Sequence, residues 1–558
     1  MSCVRAAALF SALTIAATYP IAIAPHSYAF FDHPDAQLNM WIMAWDAHVL
    51  PRQPQELFNA NIFFPHRHTL AYSETLLGYL PIFGPILWLG GTPALAFNVV
   101  LLFSFAASAF AMYLLARHLT GREWPALVAG IAYAFVPYRL AHIPQIQLES
   151  MEWLPLAFLS LHLFVERRRF RYAVGLAVCL ALSALCCVYY GVFLATTLLV
   201  ACALLALVDP RMRQVRTIVP LAGAFCLAAL TLAPVVGEYE RVHQRTGLER
   251  PLDEVARKAA DAEAYLASGA PVHQALGVPP GRQAPRDYLF PGVLALAFAT
   301  LGLVTSRRST SILYAAVAAF GVLASFGPEG LGAGFSVYAP LYHLVPVFHG
   351  LRQVSRFGVI ALFAIAVLAA DGCAFLESRL PQSRRTAWQI VLGACVFLEL
   401  FSAPLRRDQP AAGGVPLVHV PEPPAVYSWL AEQPDKFAVL ELPMADDGQL
   451  WRNARYVYWS TVHWHGLVDG YSGFAPNGYE RLREAVQSFP GGRSRAILSR
   501  HRVRYVVIHW DKYTPADPVL DRRAIRDASW LRTAARFGQS EVLEVLPDEW
   551  RLTRNDAR

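Results

Sequence analysis

Acidic and imidazole side chains are concentrated directly after the first apolar segment of the chain. One polar stretch holds Asp32, Asp35, Asp46, His66, His68 and Glu74. Carboxylates and imidazoles are the groups that general-base and metal-assisted transfer reactions use, so this stretch is a candidate site of catalysis. The alternative for Asp35 is structural, because it directly precedes a predicted helix over 36–50 and can cap it. Trp41 and Trp45 share one face of that helix and would then hold it at the level of the lipid headgroups.

A second acidic pair, Glu149 and Glu152, precedes a short apolar run. Residues 153–165 are too few to cross a bilayer core, which takes about 20 helical residues, so a span there draws one of these carboxylates to membrane depth. A carboxylate at that depth is costly unless it lines a wet cavity or meets a partner such as Arg139. We interpret both glutamates as functional candidates; the alternative is an interfacial side chain that reaches up to water.

Two arginines four residues apart, Arg352 and Arg356, follow His343 and His349. On a helix this spacing places both guanidinium groups on one face, where they can clamp a phosphate. The alternative is a pair that anchors anionic lipid headgroups.

Aromatic residues mark two further segments. The pair Tyr189 and Tyr190 forms a turn and either anchors the chain at the interface or lines a sugar site. Residues 456–479 interleave aromatics with His463, His465 and Asp469, a pattern that suits carbohydrate recognition, while His-x-His alone is weak support for a metal site.

The composition of the chain indicates which class of protein positions these residues. The chain has 558 residues, of which 55% are hydrophobic and 16% charged, with a mean hydropathy of +0.35. This is too apolar for a soluble protein of such length and excludes collagen-like, disordered and disulfide-scaffold classes. The net charge of +7 comes from arginines at the ends of apolar runs, and the only lysines are Lys258, Lys436 and Lys512, so nucleic-acid binding is excluded. The eight cysteines lie in or beside apolar runs and imply neither a disulfide framework nor a thiolate metal site.

The arginine clusters predict a topology. With the short basic loops on the inside, the N-terminus is cytoplasmic and the C-terminus lies outside. Residues 75–90 become an apolar helix at the outer interface, and 330–351 becomes an external or re-entrant loop. The first span is interpreted as a signal anchor, and the alternative is a signal peptide cleaved at the small-x-small site of residues 27–29. The eleven predicted spans cover 5–24, 95–116, 124–140, 150–166, 172–188, 191–208, 217–236, 288–306, 309–327, 357–376 and 387–404.

We therefore predict a mainly α polytopic membrane protein with about eleven transmembrane helices and a small C-terminal α/β extracytoplasmic domain. The membrane domain covers 1–404, with outer loops at 25–94 and 237–287, and the C-terminal domain covers 405–558. In that domain the pattern predicts strands over 437–442, 504–509 and 541–546 and helices over 426–432, 478–488 and 493–501.

The predicted arrangement resembles that of the GT-C superfamily of integral-membrane glycosyltransferases. It consists of one span, an acid-bearing outer loop with interfacial helices, many further spans and an outer C-terminal domain. Over roughly the first 170 residues the chain is most similar to bacterial relatives of the protein-mannosyltransferase and lipid A aminoarabinose transferase group. In that group an aspartate near the start of the first outer loop is assigned as base, a place that Asp35 takes here, with Asp32 as second choice. The group's Glu-Lys-Pro stretch corresponds to Glu74, but the Lys-Pro is missing, which leaves Glu74 as a substrate or metal contact.

The resemblance implies transfer of a sugar, here a hexosyl group, from a polyprenyl-phosphate donor to a glycan, lipid or protein acceptor at the outer face of the bacterial cytoplasmic membrane. The other substrate-binding candidates are Glu149, Glu152, Arg139, Arg352, Arg356, Tyr189 and Tyr190. A divalent cation, Mg or Mn, would assist the departing phosphate in place of the arginines, and its ligands are left open. The alternative is a non-enzymatic translocator or assembly factor for lipid-linked glycans or cell-wall polymers, in which the intramembrane acids contact ions or substrate.

Overall fold

The computed structural model describes residues 2–247, 249–281, 288–306, 308–331, 335–403, 405, 417–515 and 517–546. Its contacts divide the chain into two compact units. The first unit comprises Met1–Asp32 and Glu74–Val420, and the second comprises His33–Ser73 and Pro421–Arg558. Residues 33–73, which the sequence assigns to a loop of the membrane domain, are thus grouped with the C-terminal residues. The predicted boundary at 404/405 adjoins residues 404 and 406–416, which lie outside the described part of the chain.

Helices dominate the fold. In chain order the described residues form α1 (Cys3–Ala17), α2 (Pro34–Val49), α3 (Leu80–Trp88), α4 (Pro93–Thr120), α5 (Glu123–Ala134), α6 (Pro137–His142), α7 (Trp153–Arg167), α8 (Phe170–Cys186), α9 (Val188–Val208), α10 (Val215–Thr246), α11 (Leu252–Ala256), α12 (Pro271–Ala275), α13 (Val293–Thr305), α14 (Ser309–Ser325), α15 (Tyr338–Leu344), α16 (Gly358–Arg379), α17 (Arg385–Leu400), α18 (Ala425–Glu432), α19 (Ala454–His463), α20 (Tyr479–Gln487), α21 (Gly492–Arg500) and α22 (Arg522–Asp527).

The first unit is a bundle of apolar helices. Helix α16 packs against α5, α13 and α14, while α4 packs against α1, α5 and α7. Local signals set the ends of α4: the Thr92 hydroxyl accepts a hydrogen bond from the backbone amide of Leu95, and Pro93 occupies the first turn. At the other end Gly121 adopts a left-handed φ of 71°, which a residue without a Cβ reaches without strain.

Each of the eleven apolar segments predicted to span the membrane overlaps a helix, but not every match is a single continuous helix. The main helix of segment 5–24 ends at Ala17, and segment 124–140 is divided between α5 and α6. Five described helical segments are long and apolar enough to cross a membrane: Pro93–Thr120, Ile146–Arg167, Val188–Val208, Val215–Thr246 and Val354–Arg379. Further apolar helices are shorter, so the number of crossings stays a prediction. Helix α10 runs to Thr246, ten residues beyond the predicted end at 236, because Gly247 supplies the left-handed cap that stops it.

The second unit contains a five-stranded mixed sheet. Strand order is β4-β3-β5-β7-β6, with β3 parallel to β4 and β5 and the other pairs antiparallel. A two-stranded ribbon of β1 and β2 belongs to the first unit. The strands are β1 (Tyr28–Ala29), β2 (Val418–His419), β3 (Ala438–Leu442), β4 (Gly466–Leu467), β5 (Val503–His509), β6 (Leu531–Phe537) and β7 (Ser540–Val545).

All three strands and all three helices predicted in the C-terminal domain are present, as β3, β5, β7, α18, α20 and α21. Every residue of β3 is buried, as expected for a central strand covered on both faces. The extracytoplasmic location of this unit stays a prediction.

The position of helix α2 differs from the prediction that its tryptophans lie at the lipid headgroups. Trp41 and Trp45 do share a face, with ring centroids 6.3 Å apart, but both are buried in the second unit, where α2 packs against α19. The indole of Trp41 donates to Asn61 Oδ1 at 3.2 Å, and that of Trp45 donates to the carbonyl of Leu57 at 2.7 Å. The two tryptophans are therefore core residues and not headgroup anchors, because both polar indole groups have protein partners.

Candidate functional site

Glu74 lies at the N-terminus of α9 in the first unit. Its Oε2 accepts a hydrogen bond from the backbone amide of Val188 at 2.9 Å, and its Oε1 is 3.8 Å from Sγ of Cys187. Burial raises the pKa of Glu74 to about 7, against the opposing influence of the Val188 amide and of the Arg356 guanidinium. A carboxyl group that titrates near neutrality is suited to exchange protons or to meet a cation.

Arg356 and Arg352 both contact Tyr189, in different ways. The guanidinium of Arg356 lies over the Tyr189 ring, 4.8 Å from its centroid, and its buried Nε has no hydrogen-bond partner among the described residues. The backbone amide of Arg352 donates to the Tyr189 hydroxyl at 3.1 Å, while its side chain is exposed and its Nε stands 3.9 Å from Glu254. Tyr189 is thus the common neighbour of the two arginines.

The predicted shared helix face of the two arginines is wrong. Arg352 precedes a single 3₁₀ turn over Val354–Phe357, and Gln353 has the non-helical φ of −103° and ψ of 78°, so no α-helix runs from 352 to 356. The reason is local: helix α16 begins only at Gly358, and a 3₁₀ turn is too short to align positions four apart. The two arginines therefore do not share a helix face, and their joint binding of a phosphate stays a prediction.

Arg139 and Glu149 form an ion pair with both side chains fully buried in the first unit. Arg139 Nε donates to Glu149 Oε2 at 2.8 Å, and Nη2 donates to the Glu149 carbonyl at 2.9 Å and to Ser104 Oγ at 3.2 Å. The guanidinium also stacks on Phe105, 4.0 Å from the ring centroid. The expectation that a glutamate at membrane depth pairs with Arg139 is confirmed for Glu149. The ion pair makes a structural contact inside the first unit.

Glu152 and Tyr190 are also held by protein partners. Glu152 Oε1 accepts from the Tyr79 hydroxyl at 2.9 Å, which links the start of α7 to the turn that leads into α3. The Tyr190 hydroxyl donates to the Leu148 carbonyl at 3.0 Å. Both side chains are buried, so they stabilise the segment around Glu149.

Asp35 lies in the second unit, in the first turn of α2. The cap of that helix is His33, whose Nδ1 accepts from the backbone amide of Asp35 at 3.1 Å, so the alternative role of Asp35 as cap is wrong. The Asp35 carboxylate instead accepts a hydrogen bond from the hydroxyl of Tyr471, at 2.5 Å from Oδ1. Asp32 belongs to the first unit and is exposed.

A buried acidic network in the second unit joins Asp469, which the sequence pattern indicates, to Glu441 and His509, which it does not indicate. Glu441 Oε2 accepts from the Tyr427 hydroxyl and pairs with His509 Nε2, each at 2.7 Å, and Asp469 Oδ2 accepts from the Glu441 amide at 2.7 Å. Burial raises the pKa of Asp469 well above its usual range. Alternation in β3 and β5 predicts strands but carries no sign that Glu441 and His509 face each other.

No group of three or more His, Cys, Asp or Glu side chains within the described residues could hold a metal ion. Burial, with a smaller contribution from the nearby His465, lowers the pKa of His463 to about 3. The divalent cation thus has no ligand set in the described part of the chain and stays a prediction.

Searches of family models and of curated proteins each found no match for the sequence. Solved structures do match. The arabinofuranosyltransferase AftD from Mycobacteria is similar with a TM-score of 0.66 and 15% identity over 98% of this chain and 40% of that chain. The oligosaccharyltransferase AglB from Archaeoglobus fulgidus, solved with an inhibitory peptide and a dolichol-phosphate, is similar with a TM-score of 0.50 and 12% identity over 91% of this chain and 69% of that chain. AglB tethered to an acceptor peptide gives a TM-score of 0.50 at 13% identity over 90% and 68% of the two chains.

Both proteins are GT-C superfamily membrane glycosyltransferases. The predicted resemblance to that superfamily is confirmed at the level of the fold, which extends over nearly the whole chain rather than its first part alone. The chain spans 40% of the length of AftD.

Proposed function

We propose that this protein is an integral-membrane glycosyltransferase that moves a sugar from a polyprenyl-phosphate donor to an acceptor hydroxyl at the outer face of the bacterial cytoplasmic membrane. The fold it shares with AftD and AglB supports the class of reaction. One observation carries the choice of donor: Arg356 presents a guanidinium with a buried, unpartnered Nε among the described residues. A phosphate is the anion that a guanidinium binds best, through charge-assisted hydrogen bonds.

The proposed donor also agrees with the ligand of one similar structure. AglB was solved with a dolichol-phosphate, which is a polyprenyl-type lipid phosphate. For this chain we extend that chemistry to a polyprenyl-phosphate sugar, with the phosphate bound by Arg356 and the lipid tail in the bilayer. The hexosyl identity of the sugar and the nature of the acceptor, a glycan, a lipid or a protein, are parts of the proposal.

The proposed mechanism is a direct displacement. Asp35 accepts the proton of the acceptor hydroxyl as its oxygen bonds to the anomeric carbon, and the bond from that carbon to the phosphate oxygen breaks. Polyprenyl phosphate leaves with its negative charge stabilised by Arg356, while the exposed Arg352 contributes at longer range. Tyr189 holds the Arg356 guanidinium by stacking, and Glu74 tunes the charge beside it.

The remaining candidates have supporting roles in this proposal. Arg139, Glu149, Glu152 and Tyr190 maintain the buried framework of the first unit, and Asp32 is the reserve choice for the base. The N-terminus is cytoplasmic and the C-terminal unit extracytoplasmic, as the arginine pattern predicts.

The test uses the full chain in lipid nanodiscs with labelled polyprenyl-phosphate sugars, following release of polyprenyl phosphate. We expect Asp35→Asn to lower kcat by roughly 100- to 10,000-fold, the contribution of a general base. Arg356→Gln should raise KM for the donor about tenfold or more, since a hydrogen bond to a charged group contributes about 1.5–3 kcal/mol.

Paired variants sharpen the result. Asp32→Asn separates the two candidate bases, because loss of transfer in Asp32→Asn with full activity in Asp35→Asn reverses their assignment. Absence of transfer by the wild-type protein with every common donor favours the translocator or assembly factor instead.

A further inference from the structure

We propose that Tyr471 is a positioning residue for Asp35. Its hydroxyl donates to Asp35 Oδ1 and fixes the carboxylate in the orientation in which it receives a proton from the acceptor. The inference rests on the proposed function, in which Asp35 is the general base. Tyr471 belongs to the C-terminal part of the sequence, so this part would contribute directly to the reaction.

The backbone of α2 does not by itself define where the Asp35 carboxylate points. His33 performs both capping contacts of the first turn: its Nδ1 accepts from the Asp35 amide, and its carbonyl accepts from the Gln37 amide, each at 3.1 Å. These contacts hold the backbone of the turn and leave the direction of the Asp35 carboxylate to contacts of the side chain itself. The hydrogen bond from Tyr471 is one contact that restrains this carboxylate.

The loop that carries Tyr471 is fixed on both sides. Before it, the Asp469 carbonyl accepts from the Phe63 amide at 2.9 Å, and the Gly470 carbonyl accepts from Asn453 Nδ2 at 3.1 Å. After it, the Gly473 amide donates to the Tyr72 carbonyl at 3.2 Å. Tyr471 is thus presented from a short segment whose two ends are tied to the rest of the second unit.

Two glycines bring this loop close to the segment from Phe63 to Tyr72. A Cβ on Gly470 would stand 2.5 Å from the Phe63 ring, and a Cβ on Gly473 would stand 2.6 Å from the Tyr72 carbonyl oxygen. Neither position has room for a side chain, so the backbone on each side of Tyr471 lies directly against its support. Such contact leaves the tyrosine little freedom to move away from Asp35.

The chemistry suits a donor that does not itself react. A phenolic hydroxyl is a good hydrogen-bond donor to a carboxylate oxygen. The proton that Asp35 gains comes from the acceptor hydroxyl, and polyprenyl phosphate is the leaving group. A carboxylate that rotates away from its attack geometry loses much of its effect, because a misplacement of about 1 Å costs up to about 100-fold in rate.

The experiment compares Tyr471→Phe with Tyr427→Phe in the full chain in lipid nanodiscs. Tyr427 is a matched control, since it is buried in the same unit and its hydroxyl donates to Glu441 at 2.7 Å. We expect Tyr471→Phe to lower kcat about 10- to 100-fold with KM for the donor unchanged, and Tyr427→Phe to leave kcat within about twofold. The double variant Asp35→Asn/Tyr471→Phe should be no slower than Asp35→Asn.

A second measurement does not depend on transfer. Hydrogen exchange at the amides of residues 35–38 should be faster in Tyr471→Phe than in the wild-type protein, and unchanged in Tyr427→Phe. Wild-type kcat in Tyr471→Phe, or a further loss on top of Asp35→Asn, overturns the positioning role. If the wild-type protein transfers no sugar, the proposed function fails, and exchange alone decides: faster exchange supports the contact, and an unchanged rate overturns it.

Discussion

At the residue scale, the carboxyl group of Glu74 is subject to opposing influences. The helix amide of Val188 and the guanidinium of Arg356 favour its charged form, whereas burial favours its neutral form. Burial is the larger influence, because the pKa ends at about 7 and not below the ordinary 4.5. The sequence predicts Glu74 as a substrate or metal contact but not this competition, because the apolar surroundings come from segments distant in sequence.

Replacing Glu74 by Gln tests this competition. Because the pKa of Glu74 is higher in the folded protein, its contribution to stability is complete below about pH 4.5 and is lost as pH rises through about 7. Gln keeps an acceptor oxygen for the Val188 amide and does not titrate. We expect the melting temperature of the wild type, relative to that of Glu74→Gln, to fall between pH 4.5 and 7.5, as thermal unfolding in nanodiscs across that range would measure. Parallel pH curves for the two proteins would contradict the assignment.

Asp35 and Tyr471 illustrate what sequence reasoning reaches at single positions. The concentration of acidic residues after the first apolar segment, and the resemblance to GT-C glycosyltransferases, indicate Asp35. The sequence also shows that the segment containing Tyr471 is aromatic and polar. Their bond joins positions 436 residues apart, and no local pattern encodes such a distance. Glu441 and His509 were missed for the same reason, since the sheet brings them together across 68 positions.

At the scale of elements, the length of an apolar run predicts that a helix is present better than it predicts where the helix begins and ends. All eleven apolar segments are mainly helical, because a helix satisfies the backbone hydrogen bonds of a long uncharged run from within. Short elements depend on tertiary contacts instead. Because the chain before α16 forms only a 3₁₀ turn, Arg352 and Arg356 do not share a helix face. The protein partners of Trp41 and Trp45 make the predicted interfacial helix a core helix.

The ion pair between α6 and the turn before α7 provides a test at this scale. Arg139→Met leaves the Glu149 carboxylate buried without its partner, and loss of one member of a buried pair costs about 3–5 kcal/mol. We therefore expect a marked drop in melting temperature for Arg139→Met and for Glu149→Leu.

The double variant Arg139→Met/Glu149→Leu is the control, because it removes both charges and should recover much of the lost stability. Thermal unfolding followed by intrinsic fluorescence measures all three variants. Equal, additive losses in the double variant would show that the pair does not act as a unit.

At the scale of the whole molecule, the second unit is assembled from two separate parts of the sequence. Asn61 joins them through its side chain, which donates to Ser460 Oγ at 3.2 Å and to the His465 carbonyl at 3.1 Å, and through its carbonyl, which accepts from the Leu467 amide at 2.6 Å. The composition shift near 405 indicates a C-terminal domain but carries no sign that residues 33–73 complete it. The association of 33–73 with the C-terminal residues depends on contacts between the two segments, and amino-acid composition does not show such contacts.

Two fragments test this assembly. Residues 421–546 alone lack α2 and the Asn61 contacts, so we expect them to show no cooperative unfolding by circular dichroism. A fusion of 33–73 to 421–546 through a flexible linker restores those contacts and should unfold cooperatively. Cooperative unfolding of 421–546 by itself would contradict the need for the earlier segment.

This divided origin has a consequence for synthesis. Residues 33–73 leave the ribosome roughly 350 residues before the chain reaches Pro421, which at about 5–20 residues per second amounts to roughly 20–70 s. During that interval Trp41 and Trp45 have no α19 to pack against, so the nascent chain carries an unfinished apolar surface. Helper proteins that shield nascent chains, and the rate of translation downstream of residue 73, are therefore expected to govern the yield of correctly folded protein.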